Sequence, residues 1–148
     1  MPNLGDTLGD IVTPPGGRPA GGGPICCGLV TALLGLATRL KIARLHVVTD
    51  SRSHTDDLST FVGGAVAGGA GIVQLSEPEL RPRAELAALG VLRKAAQPRQ
   101  AIVAVSSDAD LAGEFGADML LLPGDGPSAS AARRRLHQWA LIGRSCHT

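Results

Sequence analysis

The 148-residue sequence has no tyrosine, one tryptophan and two phenylalanines. So few aromatics argue against an aromatic-packed sandwich core. Cysteine is scarce too. Cys26, Cys27 and Cys146 are too few and too oddly placed for a disulfide framework, and an adjacent pair does not match zinc-knuckle spacing. A reducing, cytoplasmic setting is the expectation. Neither sign of charge dominates: 14 Lys/Arg stand against 13 Asp/Glu, a net charge of +1, which gives no support to a nucleic-acid groove or an acidic tail. Long apolar runs are also missing. The stretch 25–37 covers about half to two-thirds of the ~20 residues that span a bilayer. It follows a Gly/Pro segment whose only positive charge is Arg18, and it lacks a clean small-residue cleavage site. It reads as a short helix packed on the outside of the domain, or as leader, and no membrane association is expected.

What is present is small and aliphatic: 44% of residues are hydrophobic and 20 are glycine. This length suits one domain. Residues 1–40 hold Pro14-Pro15-Gly16-Gly17 and Gly21-Gly22-Gly23-Pro24 without periodicity. They are expected to form a disordered leader with one short apolar segment, because they cannot bury enough apolar surface to offset their ordering entropy. The domain is expected over 41–148.

There the chain alternates. Apolar, β-branched runs at 43–49 (ARLHVVT), 71–75 (GIVQL), 101–105 (AIVAV), 118–122 (DMLLL) and 140–143 (ALIG) predict five strands. Helical spacing lies between them at 57–67, 84–96, 109–115 and 128–136. Short connections between alternating elements imply parallel pairing and right-handed crossovers, and continuous apolar strands imply that both faces are covered. Periodicity alone leaves a barrel and an open doubly wound sheet equally possible. In either, chemistry collects at the carboxyl ends of the strands. The positions to examine are Thr49-Asp50, 74–78, 106–108, 123–125 and 145–147.

At those strand ends the sequence resembles the thiamine phosphate synthase family. ARLHVVTDSR is similar to its opening strand, GGAVAGGAGIVQLSE to its segment ending in QLREK, GEFGADMLLLP to its fourth-strand region, and LIGRSCHT to its G-x-S-x-H turn. The set runs in order from Ala43 to Thr148. The resemblance implies a (β/α)₈ barrel, here with about five parallel β/α units. It also implies a transferase that joins a pyrimidine diphosphate to a thiazole phosphate with Mg²⁺, through a carbocation-like displacement. The expected ligands are therefore small phosphorylated pyrimidines and thiazoles.

Carried over residue by residue, Gln74 falls on the glutamine of QLREK, a pyrimidine contact. Ser76 and Pro78 replace that motif's Arg and Lys, with Glu77 between them. Ser106 and Ser107 occupy the family's Asn-Asp, whose Asp binds Mg²⁺; Asp108 lies one place later as a possible substitute. Asp125 lies near the second metal aspartate, and Ser145 matches the pyrophosphate-binding serine, in a turn whose backbone N–H groups suit an anion. These replacements weaken both Mg²⁺ and diphosphate binding. The family's thiazole tautomerases lack the metal aspartates and use a histidine at the position of His147, so a metal-free acid/base role for His147 is the alternative. Thr148 follows directly on the fifth strand. An incomplete barrel would leave open strand edges, which favour self-association, and a truncated, non-catalytic remnant or binding module is the third reading.

Overall fold

The computed structural model describes residues 35–106 and 108–147. Residues 1–34, with most of the expected leader and its apolar segment, lie outside the described residues, as do Ser107 and Thr148. In chain order the elements are α1 (Leu36–Ile42), β1 (His46–Thr49), α2 (Leu58–Ala67), β2 (Ile72–Leu75), α3 (Pro82–Ala96), a 3₁₀ turn (Gln97–Arg99), β3 (Ile102–Ser106), α4 (Ala109–Phe115), β4 (Met119–Leu122), α5 (Ala129–Arg133) and β5 (Leu141–Arg144).

All four neighbouring strand pairs are parallel, and their order is β1-β2-β3-β4-β5. A doubly wound sheet reverses its strand order at a switch point. This sheet never reverses, so each crossover steps the same way, as in a (β/α)₈ barrel. The five expected strands are all present.

Three elements differ from the sequence expectation by two residues or more at one end, the others by no more than one. The first strand begins at His46 rather than 43, because Ala43 N–H still bonds Arg39 O in the last turn of α1, and Leu45 O first meets β2 through Gly71 N–H. The helix expected from 84 begins at Pro82, whose fixed φ suits a first turn. The helix expected over 128–136 ends at Arg133. Beyond it the chain tightens into three-residue turns, with Arg135 N–H on Ala132 O and Leu136 N–H on Arg133 O. The domain boundary expected at 41 falls inside α1.

The period-two alternation of the strands divides the core. Val73, Leu75, Val103, Val105, Leu120 and Leu122 point to one face, where they pack with Leu58, Val62 and Val66 of α2, Leu89 and Leu92 of α3, Leu111 of α4 and Ala132 of α5. Burying each of the larger side chains contributes about 1.5–3 kcal/mol. Ile72, Ile102, Ala104 and Met119 point to the other face and pack with Leu36 of α1. Register places Val48, Gln74, Ala104, Met119 and Leu141 in one row across that second face, and Ser106, Leu121 and Gly143 in another. We call it the inner face, since it corresponds to a barrel interior. It is partly open: Val48 is 56% exposed.

The helices are capped by local chemistry. Asp108 accepts from Asp110 and Leu111 N–H to start α4, and Gly116 at φ 69° ends it. Arg93 stacks over the Phe115 ring at 3.8 Å and donates to the Phe115 and Gly116 carbonyls, tying α3 to the C-terminus of α4.

Two glycines in helix interiors make the packing testable. Gly90 in α3 faces open space, whereas a Cβ on Gly113 in α4 would collide with the Arg135 backbone carbonyl. Gly90→Ala is expected to stabilise the chain by about 0.5–1 kcal/mol, and Gly113→Ala to destabilise it by about 1–3 kcal/mol. Urea denaturation of the two variants checks the opposite signs.

Candidate functional site

The first strand end is a self-contained polar cluster. Arg52, at φ 49°, folds back so that its guanidinium grips Asp57 with bonds of 2.6 and 2.8 Å and lies 4.4 Å from the Phe61 ring centroid. Thr55 Oγ1 donates to the same carboxylate at 2.5 Å. The Arg52 hydrogen bonds, then that of Thr55, hold the Asp57 carboxyl well below the usual carboxylate range. Asp57 in turn raises Arg52. This arginine closes a loop and has little charge left for a ligand.

The loop after β2 docks on the same cluster. Glu77 Oε2 accepts from Ser51 N–H at 2.8 Å. The Ser51 side chain and its backbone N–H both hold the Glu77 carboxyl below its ordinary range. The Ser51 hydroxyl is buried and lacks hydrogen-bond geometry to any partner, so we assign the effect chiefly to the N–H. Ser76 N–H continues the sheet by donating to Thr49 O at 2.9 Å.

On the inner face Gln74 and Ser106 meet. Gln74 Nε2 lies 2.5 Å from Ser106 Oγ, and Ser106 Oγ donates to Leu75 O at 3.3 Å. The two side chains come from adjacent parallel strands and lie 32 residues apart in sequence. They are the expected substrate residues that the fold brings into contact.

The other expected residues stay apart from this pair. Asp125, Ser145 and His147 are exposed on the loop after β4 and the segment after β5. The turn expected to present N–H groups to an anion is not there. Gly143 and Arg144 belong to β5, and Ser145 N–H is spent on Leu122 O at 2.9 Å, which leaves its hydroxyl alone for a ligand. Asp108, the possible metal substitute, commits Oδ1 to the start of α4 at 2.9 and 3.0 Å. Among the described residues no three His, Cys, Asp or Glu side chains converge on a point where a metal could sit. A shallow depression of about 410 Å³ lies between the starts of α4 and α5, lined by Asp108, Ala109, Asp110, Pro127, Ala131 and Arg135, and holds none of the expected substrate residues.

Three contributors escaped the sequence reading. Ser51 and Arg52 follow Asp50 at the first strand end, and the Asp five residues beyond Arg52 was the available signal. Arg144 donates to Gly124 O at 3.0 Å and to Pro127 O, clamping the loop that carries Asp125. Its partners are backbone carbonyls 17 and 20 residues away and leave no sequence signature.

A singly wound parallel sheet, the crossover helices α2 to α5 on one face and polar side chains at carboxyl strand ends define a barrel protein of the (β/α)₈ class. Within that class the chain belongs to the thiamine monophosphate synthase family, whose model matches residues 45–148. It is 44% identical over 110 residues to a thiamine-phosphate synthase of Thermobifida fusca, covering 74% of this chain and 50% of that protein. A thiamine-phosphate synthase of Mycobacterium bovis is 42% identical over 119 residues, covering 74% and 54%. The solved thiamine phosphate pyrophosphorylase of Pyrococcus furiosus superposes with a TM-score of 0.62 at 25% identity, covering 74% of this chain and 52% of that one. The chain thus spans about half the length of the curated relatives it matches.

The Ser51–Glu77 bond yields a pH test. A carboxyl held below its unfolded value contributes stability that is present above about pH 4.5 and is lost as pH falls through the lower folded value. Glu77→Gln is therefore expected to be less stable than wild type at pH 7, with the difference shrinking as pH falls below 4.5 and vanishing once pH lies below the lowered folded value. Thermal melts of both proteins across that range check the convergence.

Proposed function

We propose that this chain acts in thiamine biosynthesis as a thiamine-phosphate-synthase-like transferase domain whose inner face takes the pyrimidine half of the substrate pair. The observation that carries this reading is the Gln74–Ser106 contact at the carboxyl end of adjacent strands, where barrel chemistry is placed. In the reaction implied by the family, the bond from the pyrimidine's carbon to the diphosphate oxygen breaks. Its electron pair leaves with pyrophosphate, and the thiazole phosphate takes up the carbon. The protein's tasks are to hold the ring and to stabilise the departing anion.

The residues suit the first task better than the second. Gln74 offers an amide to the ring, and exposed Val48 beside it in the register offers an apolar floor. For the anion there remain the hydroxyls of Ser76 and Ser145, neutral donors with roughly half the strength of charge-assisted ones. Arg52 is neutralised by Asp57, and Arg144 is committed to two carbonyls. Mg²⁺ usually takes one or two carboxylates plus substrate phosphates. Asp125 is the matched carboxylate and Asp108 is turned to a helix start, so this residue set does not fit a protein-built Mg²⁺ site and we assign no step to the metal. A reducing, cytoplasmic setting agrees with cysteines too few and too oddly spaced for a disulfide framework. Self-association through the edges of β1 and β5, which pair with no further strand among the described residues, belongs to the same reading.

Calorimetry with inorganic pyrophosphate tests the anion half. The wild-type chain is expected to bind it with a Kd weaker than about 0.1 mM, with or without Mg²⁺. Ser76→Arg and Ser107→Asp together should tighten Mg²⁺-dependent binding by more than the product of the single changes, since both act on one metal–ligand unit. Micromolar, Mg²⁺-dependent binding by wild type would overturn this assignment of the anion site. Chelator-resistant turnover of a thiazole phosphate that disappears in His147→Ala would move the chain to the tautomerase branch.

A further inference from the structure

The amino ends of the strands, opposite the candidate site, carry a surface that the proposed reaction does not use. α1, α3 and α5 end there, and their connections to β1, β3 and β5 are basic. Lys41, Arg44, Lys94, Arg99 and Arg134 are exposed, and no carboxylate pairs with any of them among the described residues. Arg39 donates to Gln100 O, Arg93 to Gly116 O and Arg133 to Ala140 O, and His137 Nε2 meets Ala117 O at 3.0 Å. These bonds join neighbouring connections into one surface and leave the arginine charges uncancelled. Arg135 is paired, with Asp110 at 3.0 Å. Of the eleven described Asp and Glu residues only Glu114 and Asp118 lie at this edge, and Asp118 Oδ2 already accepts from Val103 N–H at 3.1 Å. The other nine lie in the connections that leave the strands or in the first helical turns after them. The domain is thus polarised along its strands, positive at the amino edge and negative at the carboxyl edge.

Apolar side chains stand bare among these cations. Four of the six exposed large hydrophobic residues lie at this edge: Leu40 and Ile42 at the end of α1, Leu45 before β1 and Trp139 before β5. Ile42 is 61% and Trp139 71% exposed. Helix-end electrostatics favours cations here and carboxylates at the other edge, but it gives no reason for uncovered Leu, Ile and Trp. We propose that the amino edge docks on an anionic lipid surface. Lys and Arg meet the headgroups, Trp139 settles at the interface, and the aliphatic side chains enter the acyl boundary. Nucleic acid would use the cations and the tryptophan and leave Leu40, Ile42 and Leu45 in water. The acidic edge of a second copy would set carboxylates against the same aliphatic groups. The mode is peripheral, since no described helix is long and apolar enough to cross a membrane. Docked in this way, the domain keeps its carboxyl edge turned to solution. The inference is independent of the pyrimidine reading.

Sedimentation of the full chain with vesicles tests this, comparing equal parts phosphatidylserine and phosphatidylcholine with phosphatidylcholine alone. The anionic vesicles are expected to bind about tenfold or more tightly, and added salt should weaken that binding as it screens the charges. Trp139 is the chain's single tryptophan, so its emission reports from the surface itself and should move to shorter wavelength on the anionic vesicles. Arg44→Glu with Arg99→Glu should weaken binding about tenfold or more, since each cation near such a surface is worth about fivefold. Arg81→Glu with Arg83→Glu makes the same change of net charge at exposed residues of the other edge, and should stay within about threefold of wild type. No binding to the anionic vesicles, equal binding to both kinds, or equal loss in the two double variants overturns the proposal. A dimer whose Trp139 emission is already shifted without lipid assigns the edge to a second copy and overturns it. Tighter binding of polyuridylate than of the vesicles assigns the edge to RNA and overturns it too. Each of these outcomes leaves the pyrimidine reading intact.

Discussion

Consecutive parallel pairing is the constraint on which the other features depend. Because β1 to β5 pair in sequence order without reversal, α2 to α5 all return over the same face of the sheet. That face becomes the large core, and alternation along each strand supplies it with Val and Leu. The opposite face receives α1, which closes one end through Leu36. The remainder of that face is free to hold polar side chains where the strands finish. Gln74 and Ser106 are tolerated there because their side chains contact each other and Ser106 also reaches the Leu75 carbonyl.

The arginines show how this chain distributes its positive charge. Arg39 donates to Gln100 O, Arg93 to Phe115 and Gly116 O, Arg133 to Ala140 O, Arg144 to Gly124 and Pro127 O, and Arg52 to Asp57. A guanidinium fork fits paired carbonyls and carboxylates well, so these residues join loops and helix ends to their neighbours. The same engagement removes them as anion ligands. Together with serine and proline in place of the cations of QLREK, it leaves the proposed ring-binding face with few cations beside it.

The sheet and its order of elements were legible because strand and helix periodicities survive without tertiary information. The strand ends were legible as a set, since each apolar run stops at a polar or loop-forming residue. The family followed from fragments such as VVTDSR, IVQLSE and LIGRSCHT in the right order, which the match over 45–148 bears out. Individual roles were harder to read. Ser145 and Asp108 stand where anion and metal ligands were expected, yet one gives its N–H to Leu122 and the other caps a helix. Spacing locates a residue along a strand end, but it does not say which hydrogen bonds have already claimed it.

By itself, the sequence determined five parallel strands, the helices between them, that both faces of the strands would be covered, and the family. These depend on local periodicity and on side-chain volume. Periodicity does not encode strand order, a long-range property; the family resemblance implied a barrel, and the tertiary structure bears it out in a sheet that is singly wound. Tertiary structure alone decided that Arg52 and Arg144 are structural, and that Gln74 is held by Ser106 from the next strand 32 residues away. A hydrogen bond requires two atoms within about 3 Å and aligned, and only the parallel register of β2 and β3 brings these two side chains to that distance.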